Sequence, residues 1–110
     1  APLIGRMLSR LATARDVAGA MIASSDNLTF DNTVEHAATT LARKTAVAEA
    51  TIDTVRLAME IGGGQAFATN SGIERLFRDV HGALYHPLPA AMQEPFTGRV
   101  ALGLDPYPVV

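Results

Sequence analysis

The sequence predicts an all-α protein, an up-down bundle of three long helices followed by an irregular tail, in one domain over residues 1–110. Three observations support this prediction. Apolar residues recur every three or four positions before residue 85, which is the spacing of one helix face. Polar or glycine-rich runs interrupt that spacing at 24–27 and 62–64. From residue 87 onwards, prolines break it.

The composition supports a single core and excludes several kinds of site. The 110 residues are 48% hydrophobic and 18% charged, which is enough apolar material for one small domain. Nine basic against eleven acidic residues disfavour nucleic-acid binding. Without cysteine there are no disulfides or thiolate metal sites, which is compatible with a cytoplasmic protein. We expect neither a membrane span nor a signal peptide, because no apolar run is long enough.

The first helix is predicted from an apolar stripe at three- and four-residue steps. Its members are Ile4, Leu8, Leu11, Ala18, Met21 and Ile22. The polar run Ser24-Ser25-Asp26-Asn27 is expected to end this helix.

The second helix is predicted to begin at a capping-box pattern, Asn32-Thr33-Val34-Glu35. It carries a seam of mostly small side chains: Val34, Ala38, Leu41, Thr45, Ala48, Ile52, Val55 and Met59. Arg56 and Glu60 stand four positions apart and are expected to pair. The run of about 28 residues is roughly 42 Å long, so it needs a bundle or another subunit to cover it.

The third helix is predicted between the glycines at 62–64, which end the second helix, and Pro87. Ser71-Gly72-Ile73-Glu74 is a capping box at its start. One face carries Ile73, Leu76, Phe77, Val80 and Leu84, and the other the pairs Glu74–Arg78 and Arg75–Asp79. The tail is expected to be irregular, with one helical turn near Ala90–Gln93. Three helices leave an incomplete bundle, whose fourth helix comes from a neighbouring segment or another subunit.

The residues alone do not identify a reaction. The glycines at 62–64 follow a helix rather than a strand, so they form either a helix cap or a place where a ligand approaches bare backbone. His81 and His86 are five positions apart and do not share a helix face, so no metal site is predicted. The charged cluster Arg75, Arg78 and Asp79 is a solvated face, an interface or a buried ion-pair network.

Two stretches together resemble the C-terminal domain of acyl-CoA dehydrogenases. The first, Glu60 to Phe67, resembles the family's turn Gln-x-x-Gly-Gly-x-Gly-aromatic. The second, Ile73 to Asp79, resembles its helix Leu/Ile-Glu-Arg/Lys-x-x-Arg-Asp, at the same distance from the turn. Ala42-Arg43-Lys44 also stands where the family often has an Ala-Lys step.

The resemblance implies an FAD flavoprotein with a C-terminal four-helix bundle. This chain resembles that bundle without the bundle's first helix. Family members form dimers or tetramers through these bundles, act on acyl-CoA and can pass electrons to a partner protein. The glycine turn then lies against the FAD of the neighbouring subunit, with backbone from Gly63 and Gly64 and with Gln65 beside it. Glu60 stands where the family has Gln, and a carboxylate near a pyrophosphate is repulsive unless it is paired or protonated.

The position of the catalytic base differs from the family pattern. Many members carry a Glu eight residues after the Asp of the Arg-Asp pair, whereas here that position is Pro87, which cannot abstract a proton. Either the base lies outside this segment or the chemistry differs. A related branch of flavin monooxygenases has a His seven residues after the Asp, and His86 fits that spacing. The third alternative is a helical dimerisation module without flavin. On any of these interpretations the segment alone is expected to be inactive.

Overall fold

The computed structural model describes residues 1–29, 31–68, 72–86 and 88–107. These ranges contain four α-helices: α1 (Pro2–Ser24), α2 (Val34–Gly62), α3 (Ile73–Val80) and α4 (Ala90–Ala101). Short 3-10 segments follow three of them, at Asp26–Leu28, Gly63–Phe67 and His81–Leu84. The described ranges contain no strand, and the predicted all-α class is confirmed.

Helix α2 is the centre of the molecule, because α1, α3 and α4 all pack along it. The core is built mainly from small side chains, which let the helix axes approach closely. Leu57 of α2 is the most deeply buried large side chain, with 1% of its surface exposed. The other buried apolar residues are Ala14, Ala38, Ala48, Ala50, Met59, Ala66 and Phe96.

The contacts show an up-down arrangement. Arg10 of α1 lies beside Asp53 of α2, and Ser25 lies near Thr33, so α1 and α2 are antiparallel. Along the other side of α2, the backbone of Ala83 lies beside Lys44. Thr97 of α4 donates to the carbonyl of Ala38 at 3.5 Å. Helices α3 and α4 therefore follow one another along α2, as one antiparallel layer with a break between them.

That break is the main correction to the predicted fold. The third helix ends at Val80 and continues as a 3-10 segment, where Gly82 weakens the helix and Lys44 binds the carbonyl of Ala83. The tail is not irregular as expected, since its helical turn extends to the twelve residues of α4. Burial of Phe96 against the core offsets the cost of Pro95, about 3 kcal/mol inside a helix.

The predicted ends of α1 and α2 are confirmed, and one cap is corrected. Helix α1 ends in the polar run at 24–27, and α2 ends at the glycines. The cap at the start of α2 is Thr33 rather than Asn32, because the Thr33 hydroxyl accepts a hydrogen bond from the backbone of His36 at 3.1 Å. Ser71 lies outside the described residues, and Gly72 precedes α3.

The expected ion pairs are confirmed in one case. Arg78 and Glu74 pair at 3.6 Å on the exposed face of α3, whereas Arg75 and Asp79 of the same helix form no ion pair. The predicted Arg56–Glu60 pair is also wrong, as shown below. No helix in the described ranges is both long and apolar enough to cross a membrane.

Candidate functional site

The turn that ends α2 contains three glycines with three different environments. A Cβ on Gly62 would lie 2.9 Å from the Cβ of Ala66, so close packing requires this glycine. Gly63 has φ +61° and ψ −147°, a backbone conformation that is essentially restricted to glycine. Among the described residues, a Cβ on Gly64 would meet nothing within 4 Å, and the φ of Gly64 is not positive. The fold therefore requires glycine at 62 and 63 but not at 64.

A cavity of about 360 Å³ opens beside this turn. Its walls combine aromatic and apolar surface with one charge of each sign. The lining residues are Arg56, Met59, Glu60, Gly63, Phe67 and Phe77. Phe67 is 66% exposed and offers an accessible ring surface to a flat ligand.

The two charges of the cavity are not paired with each other. The Arg56 guanidinium lies 3.9 Å from Asp53, whose other oxygen lies 3.7 Å from Arg10 of α1. Asp53 is thus ion-paired with two arginines, and this corrects the predicted Arg56–Glu60 pair. Glu60 is exposed and has no ion pair within the described ranges. The cavity therefore offers a cation that is ion-paired to Asp53 of its own helix and a carboxylate that has no ion pair within the described ranges.

The predicted cofactor residues are brought to one end of α2. Glu60 and Gly63 line the cavity, whereas Gly64 and Gln65 lie in the same 3-10 segment without lining it. All four are exposed, as a contact site for an external group requires. In the described part of the chain, no three His, Asp or Glu side chains are grouped to hold a metal ion.

His86 lies near the middle of α2, away from the glycine turn. Together with Lys44 it lines a second cavity of about 210 Å³ between α2 and α3. The remaining walls are apolar or small: Val47, Ala48, Thr51, Val80 and Ala83. Lys44 and Gly63 are 19 positions apart, or about 28 Å along α2. Pro87, the position of the usual base, lies outside the described residues.

Sequence reasoning missed the role of two groups at these sites. Arg56 precedes Glu60 by four positions and Gly63 by seven, so the helical period already placed all three on one face. Lys44 is the only lysine of the chain, but the segment it contacts is about 40 residues away in sequence. No local pattern indicates such a contact.

One of three comparisons with known proteins identifies a family for this chain. Neither the curated proteins nor the solved structures include one that matches the chain. The family model described as acyl-CoA dehydrogenase, C-terminal domain, matches residues 3–89, which include α1, α2, the glycine turn and α3. The chain therefore belongs to the acyl-CoA dehydrogenase family, as a C-terminal helical domain.

Proposed function

We propose that residues 1–110 form the C-terminal bundle of an FAD-dependent acyl-CoA dehydrogenase, to which they contribute flavin contacts and an oligomer interface. The observation that supports this most directly is Gly64. The described fold has room for a side chain there, so packing among the described residues gives no reason for a glycine. A ligand that approaches the bare backbone at Gly63 and Gly64 supplies such a reason.

The larger cavity fits one part of a flavin nucleotide. Arg56 offers a guanidinium to a phosphate, and the rings of Phe67 and Phe77 offer apolar surface to a flat heterocycle. The Glu60 carboxylate would repel a phosphate, since nothing in the described structure neutralises its charge. The same carboxylate can accept hydrogen bonds from ribose hydroxyls. We therefore assign Gly63, Gly64, Gln65 and Arg56 to the nucleotide, with Glu60 beside its sugar.

The surface of the bundle supports an oligomer interface. The chain exposes 7,498 Å², whereas a compact monomer of 11.6 kDa exposes about 5,800 Å². Its radius of gyration is 16.7 Å, against about 13 Å for a compact domain of this length. The difference is about twice the roughly 800 Å² that each partner buries in a standard protein interface. Large apolar side chains such as Ile22 and Leu102 remain about three-quarters exposed, and partner subunits or further helices are expected to cover such residues.

The role of this chain in the reaction is to form part of a composite site. Bound FAD supplies the hydride acceptor for α,β-dehydrogenation of an acyl-CoA thioester. The chain's own residues bind the nucleotide at one end of α2 and form an apolar wall near His86 in its middle. Pro87 cannot take the α-proton, so we assign the base of the dehydrogenase to a residue outside these 110 residues.

A flavin-dependent monooxygenase of the same fold is the second candidate. The observation that favours it is the position of His86, whose imidazole belongs to a residue that lines the 210 Å³ cavity next to the unusable Pro87. An imidazole nitrogen can donate or accept a proton and can therefore serve as an acid or base. This reaction would depend on O₂ and on a separate reductase, and the dehydrogenase would not.

An anaerobic titration of the intact flavoprotein with a panel of acyl-CoAs tests the proposal. We expect at least one acyl-CoA to bleach the flavin absorbance without oxygen. A flavin that no acyl-CoA reduces, but that a reductase and O₂ turn over with substrate hydroxylation, would replace the dehydrogenase with the monooxygenase. A protein that binds no flavin would leave only the dimerisation module.

A further inference from the structure

We propose that Lys44 is a positioning residue, which sets the place of His86 at the smaller cavity by binding the backbone on both sides of it. This inference rests on the proposed function, in which that cavity belongs to the composite flavin site. The Lys44 ammonium donates to the carbonyls of Ala83, His86 and Leu88, at 2.8, 2.9 and 3.4 Å.

These three bonds use every donor of the side chain, since an ammonium group carries three hydrogens. In the described part of the chain Lys44 forms no ion pair, so its charge is directed at carbonyl dipoles alone. The three carbonyls come from the end of the 3-10 segment and from the loop before α4. Lys44 therefore joins the middle of α2 to the break between α3 and α4.

The segment needs such a tie because it has few backbone donors of its own. Pro87 and Pro89 have no N–H group, so two of its residues cannot make backbone hydrogen bonds as donors. On one side, the Tyr85 amide donates to Gly82 at 3.1 Å. On the other, the Gln93 amide donates to Pro89 at 2.8 Å. Between these turns, the Lys44 ammonium is what fixes the backbone of His86.

A compact ammonium suits this arrangement better than a guanidinium does. Three carbonyls around one point match the three hydrogens of a lysine, whereas the planar fork of arginine directs its donors into one plane. A methionine keeps the length and apolar stem of the side chain and removes all three donors. Lys44→Met is therefore the informative variant, and Arg43→Met is its matched control, one position away with the same loss of charge.

Hydrogen exchange of the full chain, measured on peptides that cover residues 81–93, gives the first test. We expect exchange there to be at least tenfold faster in Lys44→Met than in the wild type, and unchanged in Arg43→Met. Equal rates in Lys44→Met and the wild type would overturn the proposal.

The reactivity of His86 toward diethyl pyrocarbonate gives the second test, because it reports the position of the imidazole. His36, in α2 and outside the segment that Lys44 contacts, serves as the internal reference. We expect carbethoxylation of His86, relative to His36, to rise at least threefold in Lys44→Met. If the ratio is unchanged while exchange is faster, Lys44 only stabilises the fold and does not position His86.

Chemical rescue separates the ammonium from the packing of its stem, and the absence of cysteine makes it selective. Lys44→Cys, alkylated in denaturant with 2-bromoethylamine and refolded, regains an ammonium at nearly the original length. The same protein alkylated with iodoacetamide carries a neutral amide instead. We expect the first adduct alone to restore both readouts to within threefold of the wild type, and equal restoration by the second would contradict the proposal.

These measurements use neither flavin nor acyl-CoA, so the two proposals can fail separately. A protein in which Lys44→Met changes both readouts, but whose flavin no acyl-CoA reduces, retains the positioning role and loses the dehydrogenase. A protein whose flavin is bleached, but in which Lys44→Met changes neither readout, retains the dehydrogenase and loses the positioning role.

Discussion

The end of α2 and its middle present two opposite kinds of surface. At Gly63 and Gly64 the backbone is bare, and a Cβ at either position would meet none of the described residues within 4 Å. Around His86 the backbone carbonyls are bound by Lys44 at three points. The first region has open backbone for an external group to contact, and the second has backbone that the chain itself holds in place.

The two regions of α2 suit different roles. The end of the helix suits the binding of a ligand, and its middle suits the positioning of a side chain. A nucleotide contact benefits from exposed peptide groups and absent side chains, since both let a ligand come close. An acid–base group or a wall of a substrate site requires a fixed geometry, because small displacements are costly to catalysis. Helix α2 provides both, about 28 Å apart, and it is rigid because the other helices pack on it.

The largest expected effect is on the stability of helix α2, which carries both regions. Leu57 lies on α2 between Lys44 and Gly63 and is 1% exposed, so Leu57→Ala leaves a cavity in the core. We expect the free energy of unfolding to fall by about 3 kcal/mol. Urea denaturation measures this, with Asp16→Ala on the exposed surface of α1 as a control expected within about 0.5 kcal/mol. A loss below about 1 kcal/mol would mean that α2 is not the structural axis.

The next effect distinguishes two neighbouring glycines. Gly63→Ala forces a side chain into a conformation with φ +61°, so we expect it to cost about 2 kcal/mol of unfolding free energy. Gly64→Ala meets open space and should change the stability by less than about 0.5 kcal/mol. Thermal and urea unfolding of the two variants check this contrast. Equal destabilisation by both would show that the fold itself requires Gly64, and would remove the main support for a ligand there.

The smallest expected effect concerns the Glu60 carboxylate. Glu60→Gln removes a negative charge beside the proposed phosphate site and restores the family's amide. We expect FAD to bind about fivefold more tightly, or roughly 1 kcal/mol, with the gain shrinking at high salt. Isothermal titration of the intact protein measures it, with Glu94→Gln on α4 as the charge-matched control. Weaker binding in Glu60→Gln would show that the carboxylate is a direct ligand.

The sequence predicted what depends on local spacing. The helical periods of α1 and α2 were recognisable because residues on one helix face recur every three or four positions. The glycine turn was recognisable because its three glycines are adjacent in sequence. Helix α4 was predicted only as one turn near Ala90–Gln93, since Pro95 argues against a longer helix and the compensating burial of Phe96 depends on tertiary contacts. Arg56 pairs with Asp53 instead of Glu60. Arg10 of helix α1 contacts the same Asp53 carboxylate.

The candidate site divides in the same way. Glu60, Gly63, Gly64 and Gln65 follow one another along the chain, so a motif was enough to select them. The environment of His86 depends on Lys44, more than 40 residues earlier, and on the path of a proline-rich loop. Long-range contacts of this kind follow from the packing of helices rather than from any pattern within one segment.

Retention of FAD by Gly64→Ala in the intact flavoprotein tests the central claim most directly. The variant and the wild type are purified separately by the same procedure, and the dissociation constant of FAD is measured by titration of each apoprotein. We predict an unchanged unfolding temperature of the apoprotein and at least tenfold weaker FAD binding, because the new methyl group occupies the face that the nucleotide approaches. Unchanged FAD binding in a variant of unchanged stability would contradict the assignment of the glycine turn to the cofactor.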